Sequence, residues 1–157
     1  MSARFVRRRE DGFTIRTEAR FLDLNVIHGY LSKDSYWARG VPRDVVRRSL
    51  VASLCFGLYD ADPLAGAASQ VGFARVVTDR ATFAWLCDVF VLPEHRGKGL
   101  GEWLVGSVLE HPDLQGLRNI VLATRDAHEL YKRFRFRPVP DGRFLAIRRP
   151  YLKPKKQ

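Results

Sequence analysis

Val89–Trp103 reads VFVLPEHRGKGLGEW. The apolar strand VFVL stops at Pro93, and Gly97, Gly99 and Gly101 follow within a few residues. Leu100, Trp103, Leu104 and Val108 then recur at the spacing of one buried helix face. Closely set glycines let the main chain approach a ligand and take positive φ. The first amides of the helix have no intrahelical partner and attract anions. Arg96 and Lys98 add side-chain charge. Physically this is a phosphate cradle between a strand and a helix.

Spacing narrows which cradle it is. A Walker A loop needs GxxxxGK[ST], but Lys98 is followed by glycine and no upstream glycine has the required offset. A dinucleotide fingerprint GxGxxG starting at Gly97 and Gly99 would need glycine where Glu102 stands. The pattern present is R-x-x-G-x-G, carried by Arg96, Gly99 and Gly101.

Upstream, Phe13–Thr17 alternates as a strand, and Asp23 is placed to cap a helix through Leu24, Ile27, His28 and Leu31. A loop with Tyr36 and Trp37 leads to Pro42, read as the first residue of a helix whose apolar face is Val45, Val46, Leu50 and Leu54. Cys55–Tyr59 is a strand, and Asp60–Ala68 a turn region. Gln70–Thr78 and Thr82–Val91 have hairpin spacing about Asp79-Arg80. Downstream come a helix over Leu100–His111, a strand over Ile120–Thr124 and a helix over Asp126–Phe134, with Asp126 and Glu129 at capping-box spacing. Phe136–Val139 and Phe144–Arg148 read as two closing strands about Asp141-Gly142, which offer a route to a homodimer. The order argues a mixed α/β sheet with helices on both faces.

The 157 residues suit one domain over 1–157, with residues 1–10 and 150–157 as peripheral tails. The first twenty residues hold no secretory-type apolar run, and Leu50–Tyr59 falls far short of the roughly 20 residues a spanning helix needs. Cys55 and Cys87 make no disulfide framework, and His28, His95, His111 and His128 make no zinc spacing. A cytoplasmic chain with no metal and no membrane partner is expected. The net charge of +10 is concentrated at Arg4, Arg7, Arg8 and Arg9 and from Arg125 onward. Two readings stand: a surface for an anionic partner, or a solvated basic surface with a charged tail. No helix-turn-helix, RNP or zinc-finger pattern accompanies the charge, so a basic nucleic-acid-binding module is the least favoured class.

With its R-x-x-G-x-G loop and the downstream LYKRFRF, Leu130–Phe136, the chain resembles the GNAT N-acetyltransferase superfamily over about Gln70–Val139. The second stretch is similar to the family's L-Y-x-x-x-G-F. The resemblance implies an α/β (α+β) fold: a mixed, mostly antiparallel sheet of six to seven strands, splayed between the family's fourth and fifth strands and flanked by about four helices. It implies acetyl-CoA as co-substrate and a small-molecule or protein amine as acceptor, attacked directly. The pyrophosphate would be held by the main chain of Arg96, Gly97, Lys98, Gly99, Leu100 and Gly101, and the pantetheine arm would pair with Val89, Phe90 and Val91. Tyr131 matches the family tyrosine that protonates the leaving thiolate.

Asp88 is a candidate base, since a carboxylate inside an apolar strand costs free energy unless it is paired or functional; a structural Asp and a water relay are the alternatives. Alternation puts Cys87 on the opposite face, unless a β-bulge changes the register. The odd-numbered side, Trp85 and Cys87, more often faces the acceptor in the family. Tyr36 and Trp37, on the link between the first two helices, are either an acceptor wall or a loop packed on the core. Two departures stand out. Arg135 occupies the position where the family usually ends the helix with glycine, so the helix is expected to end differently. Thr124-Arg125-Asp126 replaces the usual asparagine, with Asp126 carried over as a cofactor-side residue. A catalytically silent acyl-CoA-binding domain is the alternative on the same fold.

Overall fold

A computed structural model describes residues 4–151. The described chain resolves into two compact units that divide between Ala123 and Thr124. The first unit is one six-stranded sheet in the order β1 (Val6–Arg8), β2 (Thr14–Arg16), β3 (Leu54–Tyr59), β4 (Gln70–Thr78), β5 (Phe83–Val91) and β6 (Asn119–Leu122). Every neighbouring pair is antiparallel except β5 and β6, which are parallel. The mixed, mostly antiparallel sheet is the architecture expected.

The β5–β6 ladder covers only Phe83–Leu86 against Asn119–Leu122. Beyond Leu86, β5 continues for Cys87–Val91 with β4 on one side and no ladder to β6 on the other. This is the splay expected between the family's fourth and fifth strands, which are β5 and β6 here.

α1 (Leu24–Gly29) and α2 (Arg43–Val51) cover one face. Ile27, Leu31, Ala38, Val41 and Val46 form a buried cluster with Cys55, Phe73 and Phe90 from three adjacent strands. α3 (Leu100–Leu109) packs on β3, β4 and β5. It buries Leu100, Leu104, Val105 and Val108. Asp23 caps α1, accepting from the amides of Asn25 and Val26.

Several boundaries differ from the sequence reading, each for a local reason. α1 runs on into a π turn, Tyr30–Asp34, closed by the Ser35 amide donating to the Tyr30 carbonyl at 2.9 Å. Pro42 caps α2 rather than opening it, and Leu54 leaves the helical face to begin β3. Residues 1–10 are not all peripheral: Val6–Arg8 pair with Thr14–Arg16 as an edge strand. Three residues of valine and arginine carry too short a pattern to announce a strand.

Among the described residues the second unit holds one helix, α4 (His128–Lys132). The expected Asp126–Glu129 capping box is absent. Ala127 occupies the cap position, and its amide donates to Thr124 Oγ1 at 3.0 Å. Phe136–Val139 and Phe144–Arg148 are not strands, and Leu145 is 92% exposed. Alternation alone cannot make a strand without a neighbouring edge to pair with. The homodimer expectation therefore loses the element it rested on. Lys153, Lys155 and Lys156 of the expected basic tail lie outside the described residues.

Candidate active site

The loop from β5 to α3 takes the conformation its glycines permit. Gly97 has φ +78° and Gly99 +71°, and Gly99 is the left-handed N-cap of α3. A Cβ built at Gly97, Gly99 or Gly101 meets no atom within 4 Å, so the space beside the loop is open. The first amides of the ten-residue α3 face this loop end without intrahelical partners.

Arg96 is not a free phosphate-binding cation. Its Nε donates to the Val91 carbonyl at 2.9 Å and its Nη2 to the Tyr30 hydroxyl at 3.0 Å. Tyr30 in turn stacks on Phe90 at 4.1 Å between centroids and 12° between planes. Arg96 thus ties the end of β5 to the π turn. Lys98 holds its ammonium over the Phe13 ring at 5.6 Å.

A register shift marks the middle of β5. Phe73 pairs with Phe90 and Arg75 with Cys87, so Asp88 and Val89 together oppose one residue of β4. This is a β-bulge, and Asp88 takes φ +52° in it. Simple alternation would put Asp88 and Cys87 on opposite faces. The bulge instead turns the Asp88 carboxylate to Arg75, the cross-strand partner of Cys87. Asp88 Oδ2 accepts from Arg75 Nε at 2.7 Å, and Oδ1 accepts from Trp37 Nε1 at 2.9 Å. Arg75 also donates to Ser53 Oγ at 3.1 Å. Trp37 is 40% exposed and Tyr36 38%, the Tyr36 ring standing edge-on to the indole at 5.0 Å.

Burial pushes the Cys87 thiol up to about 12 despite the neighbouring Arg75 guanidinium, and Cys55 likewise. Neither thiol is an activated nucleophile. Among the described residues, no three His, Cys, Asp or Glu side chains group as metal donors. No helix among them is long and apolar enough to cross a membrane.

In the second unit, Tyr131 lies on α4 with its ring edge-on to Phe136 at 5.8 Å. Asp126 is exposed beside Arg125. Arg135 has φ +67°, its amide donates to the Lys132 carbonyl, and the Phe136 amide donates to Tyr131 at 3.2 Å. This is a Schellman stop, so α4 ends as the family glycine would end it, at an arginine's cost.

The first unit therefore brings Tyr36, Trp37, Cys87 and Asp88 to one face of β5, and the glycine loop follows the end of the same strand. Sequence reasoning singled out neither Tyr30 nor Arg75 as parts of this region, nor Arg9, whose guanidinium donates to the Lys98 carbonyl. Arg75 alone carried a signal, as a lone charge within the apolar run Gln70–Thr78.

A glycine-capped helix after a bulged, half-unpaired strand is the arrangement of one large class of acyl-transfer enzymes. The family model for the acetyltransferase (GNAT) domain matches residues 54–138. A Gibberella zeae protein described as an acetyltransferase is 35% identical over 135 residues, covering 76% of this chain and 75% of its own. A crystal structure of a GNAT-family acetyltransferase from Xanthomonas campestris pv. campestris is 47% identical with a TM-score of 0.79, covering 88% of this chain and 93% of its own. A GNAT acetyltransferase from Elizabethkingia anophelis with acetyl-CoA bound shares the fold, at TM-score 0.56 and 12% identity over 80% of this chain and 76% of its own. The chain belongs to the GNAT acetyltransferase family.

Proposed function

We propose that this acetyltransferase moves the acetyl group of acetyl-CoA to a primary amine, of a small molecule or of an exposed protein amine, by direct attack. The observation that carries the reading is the left-handed Gly99 cap with open space beside Gly97 and Gly101, placed at the end of a strand that has no ladder to β6 from Cys87 to Val91. Coenzyme A is a polyanion joined to a polar arm. The amides of Arg96–Gly101 suit the first part, and strand addition at Val89–Val91 suits the second.

The reaction joins the amine nitrogen to the thioester carbonyl carbon and breaks the C–S bond. A main-chain amide at the bulge, near Val89, would stabilise the oxyanion. The acceptor must lose a proton, and in this reading it passes to water, because both Asp88 oxygens already accept from Arg75 and Trp37. The departing thiolate needs a proton, and Tyr131 is assigned to supply it on the Leu130–Phe136 motif. Asp126 is assigned to the cofactor side on motif position alone. Tyr36, Trp37 and Cys87 are assigned to the acceptor side.

Calorimetry with acetyl-CoA, followed by a thiol-release screen of amines, polyamines, aminoglycosides, amino acids and peptides, tests the reading. Tyr131→Phe should lower turnover by at least about 100-fold with acetyl-CoA affinity kept, and Gly99→Glu should abolish binding. Unchanged turnover in Tyr131→Phe removes the acid assignment. Binding with no transfer to any amine favours the silent domain.

A further inference from the structure

The Asp88 carboxylate sits where a base is expected, yet its surroundings describe a different task. Asp88 is held left-handed within the bulge, a conformation Asp and Asn accept more readily than other side chains. One oxygen is engaged by Arg75, itself anchored to Ser53 just before β3. The other is engaged by Trp37, fifty-one residues away in sequence. Trp37 belongs to the segment between the π turn and α2, which has no regular structure of its own. Two further bonds tie its flanks: the Gly40 amide to the Ser32 carbonyl, and the Val41 carbonyl to His28 Nε2. Ala38 and Val41 of the segment pack with Phe90 in the core, and the indole adds a hydrogen bond that fastens the segment to the β5 bulge.

We propose that Asp88 is a positioning residue: with Arg75 behind it, it latches Trp37 to the β5 bulge and so sets where the aromatic wall of Tyr36 and Trp37 stands. That this wall receives an acceptor rests on the acetyl-transfer reading; the latch itself does not. Because the carboxylate is matched by Arg75, the wall offers an incoming amine ring faces rather than an unpaired negative charge.

The test uses the full chain and two variants, Trp37→Phe and Asp88→Asn. Asn keeps the left-handed preference but has one acceptor oxygen, which the Arg75 guanidinium claims. The three tryptophans give three indole N–H signals, and the one lost in Trp37→Phe is that of Trp37. In the unsubstituted chain it exchanges with water more slowly than the Trp85 signal; in Asp88→Asn it shifts and exchanges faster. An unmoved Trp37 signal in Asp88→Asn overturns the latch.

Kinetics with tryptamine and spermidine then separate positioning from proton transfer. Each variant should raise the KM for tryptamine about tenfold, the scale of one hydrogen bond to a charged group, with kcat nearly kept. The double variant should be no worse than the worse single one. A fall in kcat of at least about 100-fold in Asp88→Asn alone would make Asp88 the base and overturn the proposal. Failure to bind acetyl-CoA would overturn the transfer reading separately, while the indole signals still decide the latch.

Discussion

Arg9 Nη1 donates to the main-chain carbonyl of Lys98 at 3.0 Å, joining the β1–β2 turn to the middle of the glycine loop. The same guanidinium lies 5.5 Å from the Trp103 ring centroid, so it also touches the first turn of α3. Arg9→Ala should therefore weaken acetyl-CoA binding about three- to tenfold without removing any group that meets the ligand, the loss expected for one charge-assisted bond at a partly exposed site. Calorimetry reads it, and unchanged affinity would show that the loop holds its shape unaided.

The Schellman stop at Arg135 stores strain that glycine would release. Arg135→Gly should stabilise the helix end by about 1 kcal/mol, part of the left-handed penalty being offset by the extra freedom of glycine when unfolded. Urea unfolding followed by circular dichroism measures the gain. A loss of stability would mean that the arginine side chain contributes more than its backbone costs.

With a thiol pushed up to about 12, Cys87 should stay protonated at pH 8, with thiolate on the order of one part in ten thousand. Iodoacetamide should label it far more slowly than free cysteine, and Cys87→Ala should keep most of the turnover. Rapid labelling would refute its half-buried place beside Arg75 and Asp88.

Arg16 is 0% exposed and donates to Asp62 at 2.9 Å and to Glu18 at 2.6 Å. Asp62→Asn leaves that buried charge undercompensated and should cost roughly 3 kcal/mol or more. The hydrogen bond from Arg16 holds the Asp62 carboxyl well below its ordinary range, chiefly through this contact. The folded state thus binds this proton more weakly than the unfolded state does. Its stabilisation is present above the unfolded value near 3.8 and is lost as pH falls below it. Thermal melts from pH 5 down to pH 2 should show the start of that acid limb, and Asp62→Asn should flatten it.

Most of the scaffold was legible as periodicity and punctuation. The apolar runs of β3, β4 and β5, the Asp23 cap and the turn into α3 are local properties, so short stretches sufficed to read them. The glycine loop was legible for the same reason: the φ values it needs are ones glycine takes without strain. Other features were not readable locally. Val6–Arg8 became a strand because β2 offered an edge, whereas Phe144–Arg148 kept its alternation and pairs as a strand with nothing among the described residues. Arg135 ended its helix left-handed because the Phe136 ring packs against Tyr131 and favours the stop.

The net charge of +10 divides along the same line. The sequence announced an excess of arginine at its start, but not its use. In the structure Arg7 meets Glu110, Arg8 meets Asp62 and Arg9 meets Asp11 and the Lys98 carbonyl, so these arginines are paired within the molecule and the net charge resides on other basic residues. By itself, the order of residues determined the strand–loop–helix unit and the family it belongs to, because those signals lie within a few residues of one another. Tertiary structure alone decided that Asp88 faces Arg75 and Trp37. One extra residue in β5 reverses a side chain's face, and its partners come from β4 and from a loop fifty-one positions away.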